Sequence, residues 1–322
     1  MANNSNGQKP PAIKVENLKK YFNDIKAVDD VSFEIKKGEI FGFLGPNGAG
    51  KTTTINMLCT LLKPDGGRII IDGFDAMLEE SKVRSALGLV FQESILDTHL
   101  SVEENIYLHA LLYGLDIKQY RKRLREILKL VELWERRKSL IDNLSGGMRR
   151  RAEIARSLIH LPKILFLDEP TVGLDPQTRK KIWDYLFDAR KETELTIFLT
   201  TQYINEAEDC DRVAIIDNGK IVALDKPEKL KEMMGGDVIY FRSEDNDLAI
   251  EEIKKQFPLI SVYKFGKYIN LETEKGDEFL PQLVKTVTPR ILSMELHRPT
   301  LEDVFLKLTG RKIREEKENN GD

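Results

Sequence analysis

The segment GPNGAGKT, Gly45 to Thr52, constrains this chain more than any other stretch. It follows the apolar run EIFGFL and precedes TTTINMLCTLL, whose apolar residues recur at helical spacing. A strand, a turn of the form G-x-x-x-x-G-K-[ST] and a helix, in that order, make a cradle for phosphate. The glycines let the backbone curl until successive N–H groups point inward at anionic oxygens, and the helix N-terminus adds its positive dipole end. Lys51 then reaches the outer phosphates of a nucleotide, and the Thr52 hydroxyl suits Mg²⁺.

The rest of the chain supplies a fold for that turn. Residues 12–44 alternate as strands do, 101–141 read as helices, and strand–helix alternation returns over 163–223. The span 12–235 therefore reads as an α/β core with a helical insertion over about 93–160. At EMMGGD the pattern breaks. Residues 237–310 then run strand, helix, two strands, helix and strand, the order of a small ferredoxin-like α+β domain, closed by a short helix that Thr300 caps. Residues 1–11 read as a flexible polar arm and 311–322 as a mobile, solvated tail.

Composition narrows the function. A net charge of −3 gives no reason to expect nucleic acid or a polybasic membrane anchor. Two cysteines, Cys59 and Cys210, cannot make a disulfide framework or a zinc site, which fits a reduced compartment. No window holds the ~18 apolar residues of a membrane span, so any membrane role has to pass through another chain.

ILFLDEP, residues 164–170, is an apolar strand that ends in two acids. Such a strand is buried on both faces of a parallel sheet, so its C-terminal acids lie beside the phosphate loop. There Asp168 suits Mg²⁺, directly or through water, and Glu169 suits the polarisation of an attacking water.

LSGGM, Leu144 to Met148, completes a set of motifs in chain order. With it, residues 12–235 resemble the ATP-binding subunits of ABC transporters. The resemblance implies a P-loop ABC ATPase that is Mg²⁺-dependent, with Gly45, Asn47, Gly48, Gly50, Lys51, Thr52, Thr53 and Gln92 binding ATP. It implies Thr52, Gln92 and Asp168 as metal ligands, and Lys51, Glu169 and Gln202 as catalytic residues. Either Phe22 or its neighbour Tyr21 would stack on adenine. Ser145, Gly146 and Gly147 would contact the γ-phosphate held by a second copy, and Asp175 would lie in the loop that crosses the dimer interface. SGGMRRR, TTQY and PTLEDVFLKLTGR together resemble the daunorubicin-resistance type of exporter ATPase. That type implies a homodimer on the inner face of the cell membrane, cytoplasmic and peripheral, driving a separate transmembrane permease. The cargo would be a drug or another hydrophobic compound.

Three features stay open at this level. Gln202 stands where the family usually has histidine; its amide donates a hydrogen bond but cannot become a cation at neutral pH. Slow but real hydrolysis is expected, with an ATP-binding regulatory module of little hydrolysis as the alternative. Arg149, Arg150 and Arg151 crowd the first turns of the signature helix, against its dipole. They are expected to form a solvated face, unless one meets phosphate or an acid across the dimer interface. The C-terminal domain is either a dimerisation or stability element or a ligand-sensing one.

Overall fold

The computed structural model describes residues 10–310 and 313. The expected tail over 311–322 otherwise lies outside the described residues, as does the expected arm apart from its last two positions. By contacts the chain divides into two compact units. One comprises the chain up to Tyr203 together with Ile216–Ile221, the other Ile204–Ile215 together with the chain from Val222. The boundary expected at 235–237 lies within the second unit.

The first unit opens with β1 (Ile13–Phe22) and β2 (Ile25–Ile35), an antiparallel pair turned at Asn23, whose φ is +51°. Strand β3 (Ile40–Leu44) is buried at every position and feeds α1 (Lys51–Leu58) through the glycine-rich turn. The helix stops short of the apolar run that suggested it. Thr60 takes a left-handed φ of +61°, and the amides of Leu61 and Leu62 fold back onto the Asn56 carbonyl. Strands β4 (Gly66–Ile71) and β5 (Phe74–Asp75) complete a sheet in the order β2-β1-β4-β5. Next come α2 (Glu80–Ala86) and β6 (Leu87–Val90).

The helical insertion holds α3 (Val102–Leu112), α4 (Ile117–Leu130) and α5 (Gly146–Leu158). Each starts where its sequence supplies a cap. Ser101 and Glu104 form a capping box, the Asp116 carboxylate accepts from the amides of Lys118 and Gln119, and Ser145 Oγ accepts from the amide of Met148. Strand β7 (Ile164–Asp168), α6 (Pro176–Thr193) and β8 (Thr196–Thr201) then return to the core.

Strands β3, β8, β7 and β6 lie side by side in that order and run parallel. Their near-continuous burial is what a parallel sheet covered on both faces requires. Phe33 from β2 stacks on Phe41 at 5.4 Å, and Phe198 lies 5.3–6.0 Å from Phe33, Phe41, Phe43 and Phe166. This aromatic core holds the register Leu44↔Thr201 and Asp168↔Thr200. The ends of β3, β7 and β8 therefore fall level, and the site is built there.

The second unit includes α7 (Ile204–Glu208); the contact division passes through β9 (Arg212–Asp217) and β10 (Lys220–Asp225). After α8 (Pro227–Glu232) come β11 (Asp237–Ser243), α9 (Asn246–Gln256), β12 (Ser261–Phe265), β13 (Tyr268–Thr273), α10 (Gly276–Thr286), β14 (Ile291–His297) and α11 (Leu301–Thr309). The sheet order β12-β13-β11-β14 is antiparallel throughout, the ferredoxin-like arrangement expected. Ile239, Phe241, Ile269 and Leu271 meet Ala249, Ile253, Phe279 and Leu283 of the two crossover helices. On the opposite face the buried Asp303 of α11 accepts from the Tyr240 hydroxyl, the Thr300 amide and the Thr300 hydroxyl. Among the described residues no helix is long and apolar enough to cross a membrane.

Candidate active site

The turn between β3 and α1 is shaped by close backbone approach. Gly45 donates its amide to the Thr201 carbonyl at 3.2 Å, and a Cβ on Gly45 would fall 2.4 Å from the Ile216 carbonyl oxygen. Gly50, the N-cap of α1, sits at φ +104°, where a Cβ would meet the Ala27 oxygen at 2.3 Å. Neither position tolerates a side chain. The Asn218–Gly219 turn braces the loop from outside: the Gly219 amide donates to Ala49 O, and Gly219 O accepts from the Asp29 amide.

Lys51 is only 5% exposed. Its ammonium donates to Gly45 O at 2.9 Å and Pro46 O at 3.1 Å, and pairs with Glu169 Oε1 at 3.1 Å. Glu169 is equally buried and, unusually for a non-glycine residue, has a φ of +45°. Its amide is shared between Thr200 O at 3.2 Å and Thr200 Oγ1 at 3.1 Å. The Thr200 hydroxyl in turn donates to Asp168 Oδ1, and Thr52 Oγ1 lies 3.5 Å from that same oxygen. Gln202 Nε2 donates to Glu169 Oε2 at 3.3 Å, so the two carboxylate oxygens of Glu169 have different partners.

A cavity of about 310 Å³ opens over this cluster. Asn47, Gly48, Gly50, Lys51, Thr52, Thr53, Gln92 and Glu169 line it. Gly45, Asp168 and Gln202 do not line it, but each is hydrogen-bonded to a residue that does. The aromatic rings of Tyr21 and Phe22 do not line it. Tyr21 instead reaches Asp29 at 3.3 Å, and the lining comes from Ile25, Lys26 and Ala27, just past the β1–β2 turn, and from Asn218. Ile25 is 69% exposed, an apolar side chain left at the rim. A larger cavity, about 840 Å³, is lined by Ile164 and Thr196, the first residues of β7 and β8. It lies at the opposite ends of these parallel strands and has no phosphate cradle.

Ser145, Gly146 and Gly147 do not border the 310 Å³ cavity. Ser145 and Gly146 are exposed at the start of α5, and a Cβ on Gly147 would press to 2.5 Å of Thr178 Cγ2. Asp175 caps α6, and hydrogen bonding by Thr178 lowers its carboxyl pKa. The expectation of a solvated face at Arg149–Arg151 is corrected. Arg149 donates to Leu144 O and Asp142 O, Arg151 to Val131 O and Glu132, and Arg150 is buried among carbonyls. Each finds acceptors within the chain, which offsets the unfavourable helix dipole.

Comparison with known proteins agrees with this geometry. Residues 28–172 match the family model described as ABC transporter, and 226–309 match that of the DrrA1-3-like ATP-binding protein C-terminal domain. The linearmycin resistance ATP-binding protein of Bacillus subtilis is 36% identical, over 94% of this chain and 100% of its own length. The daunorubicin/doxorubicin resistance ATP-binding protein of Streptomyces peucetius is 36% identical over 95% of this chain and 94% of its own.

The chain belongs to the ABC transporter family of ATP-binding proteins.

Among solved ABC structures, the dimeric cassette MJ0796 bound to ADP and Pi in a post-hydrolysis state superposes with a TM-score of 0.61. It is 31% identical over 66% of this chain and 98% of its own. The C-terminal match is to the DrrA1-3-like model, and the whole-chain relatives include drug-resistance ATP-binding proteins. The activity class of this chain is ATP hydrolysis coupled to transport.

Proposed function

We propose that this chain hydrolyses ATP as the motor subunit of an exporter whose membrane-spanning permease is a separate chain. One observation carries the reading: Lys51, Thr52 and Glu169 line one cavity at the C-terminal ends of β3, β7 and β8, with Asp168 and Gln202 hydrogen-bonded to them. The cradle suits the phosphates of ATP. The family implies Mg²⁺, and the donor set fits it: one carboxylate from Asp168, the Thr52 hydroxyl and the Gln92 amide oxygen. Substrate phosphate and water would complete the coordination of such an ion. When bound, Mg²⁺ neutralises charge on the transferring phosphate.

The protein's own residues then do the following. Lys51 leaves Glu169 for the incoming phosphates and keeps its charge on them. Glu169, freed at Oε1, orients the attacking water and accepts its proton there. Gln202 holds Oε2 so that Oε1 keeps its aim. Phosphoryl transfer is chiefly positioning and charge stabilisation, so a neutral amide in place of an imidazole still permits it.

Ser145, Gly146 and Gly147 complete the site from a second copy of the chain, because they start a helix that does not border their own cavity. Asp175 opens the helix packed against them and belongs to the same interface. Residues 12–235 act as the ATPase domain and 237–310 as an accessory domain. The homodimer sits on the cytoplasmic face of the membrane, and the resistance names of its relatives support a drug or another hydrophobic compound as cargo.

Mg²⁺-dependent phosphate release by the purified chain, beside Glu169→Gln and Gln202→His, tests this. Turnover that Glu169→Gln lowers by about 10²–10⁴-fold, the contribution of a general base, supports it. Silence in the native chain, with turnover in Gln202→His, would make the natural glutamine a brake on the site.

A further inference from the structure

Among the described residues Arg150 is the one fully buried arginine, at 7% exposure. Its Nε donates to Pro170 O at 2.6 Å. Its Nη2 donates to Asp168 O at 3.1 Å and to Glu169 O at 3.4 Å. Its Nη1 donates to Phe91 O, the carbonyl just before Gln92, and to Glu153 Oε2 at 2.8 Å. One planar cation therefore gathers three consecutive carbonyls at the end of β7 and one from the Gln92 segment. It does so from the helix that Ser145 begins.

The three β7 carbonyls matter because of Glu169's backbone. The Asp168 and Glu169 carbonyls belong to the two peptide planes flanking the Glu169 Cα, the planes that define its φ of +45°. A left-handed non-glycine residue is strained and persists only where its surroundings over-determine it. Thr200 holds the N–H side of Glu169. Arg150 holds the carbonyl side, with the fork geometry that lysine lacks.

We propose that Arg150 is a positioning residue for hydrolysis: it fixes the backbone of Glu169, and through it the aim of the carboxylate, from the signature helix. This rests on Glu169 being the group that activates water, as proposed above. Arg150 does not line the nucleotide cavity, so its effect should fall on turnover rather than on binding.

The test uses Arg150→Lys in the full chain, with and without Glu169→Gln. Should the lysine variant not fold, Arg150→Gln with Glu153→Gln removes both buried charges together. The expected result is a kcat lower by about tenfold to a hundredfold, as for a misplaced catalytic group. The dissociation constant for ATP and the unfolding midpoint should stay near native. In the Glu169→Gln background the same change should cost less than about twofold, because a residue that acts through Glu169 has nothing left to act on. An equal loss in both backgrounds, or native kcat in the variant, overturns the proposal while leaving the site reading intact. Native turnover indifferent to Glu169→Gln overturns the site reading and this inference with it.

Discussion

Glu169→Gln should tighten nucleotide binding as well as slow turnover, and the size of the gain follows from the resting contacts of Lys51. Before phosphate arrives, Lys51 Nζ is 3.1 Å from Glu169 Oε1, with both side chains about 95% buried. At an effective dielectric of about 20 the gross attraction is about 5 kcal/mol. Most of this is offset by desolvation of the two charges, leaving a net contribution near that of a charge-assisted hydrogen bond, about 1.5–3 kcal/mol. Phosphate has to break that contact. Glutamine at 169 still accepts from the ammonium but as a neutral partner, so the contact to be broken is weaker by about 1–2 kcal/mol. Affinity should then rise about fivefold to thirtyfold, since 1.4 kcal/mol is tenfold. Losing a negative charge near the γ-phosphate also favours ATP, so ATP alone is not diagnostic. ADP separates the two effects: its β-phosphate still recruits Lys51, while repulsion by Glu169 acts chiefly on the missing γ-phosphate. Calorimetric titration of both nucleotides without Mg²⁺ should show a gain for ADP. A gain confined to ATP would refute the competition between Glu169 and phosphate for Lys51.

Gly50→Ala should abolish nucleotide binding, seen as loss of the titration signal, because the new Cβ would fall 2.3 Å from the Ala27 oxygen at φ +104°. The aromatic stack of Tyr113 on His160, 3.7 Å between ring centroids, should make the first unit acid-sensitive. Burial lowers the pKa of His109 and of His160 from 6.5 to about 4. The unfolded chain thus binds protons that the folded one refuses, so this contribution is complete above about pH 6.5 and is lost as pH falls towards 4. Urea midpoints measured across that range should fall less steeply in His160→Phe than in the native chain.

The parts of the site legible in the sequence are those whose chemistry is carried by neighbours along the chain. The phosphate cradle is one continuous turn, and the acids end an apolar strand, so spacing alone places Lys51, Thr52, Asp168 and Glu169. The ferredoxin-like order is legible because each element has its own period. The far wall of the cavity is not. Ile25, Lys26 and Asn218 reach it from two separate turns, and only strand register brings those turns to the loop. An exposed isoleucine after a tight turn is a faint signal at most. Thr200 was hidden for another reason: in TIFLTT it reads as one more β-branched residue of a buried strand. Arg150 was hidden because a charged residue on a polar helix reads as solvated until the carbonyls around it are seen.

These hidden residues share a task. Glu169 is held in a conformation its own backbone disfavours, and no single contact suffices for that. Thr200, in β8, and Gln202, just past its end, both reach the Asp168–Glu169 pair. The first fixes the amide of Glu169 and the carboxylate of Asp168, and the second fixes Oε2. Arg150 closes the carbonyl side from another helix. In the proposed mechanism Lys51, paired with Glu169 at rest, leaves it for phosphate. What remains afterwards is a carboxylate aimed by a neutral amide, with its backbone still clamped. The glutamine at 202 thus suits the proposed role of Glu169: it holds the carboxylate's direction through a neutral hydrogen bond.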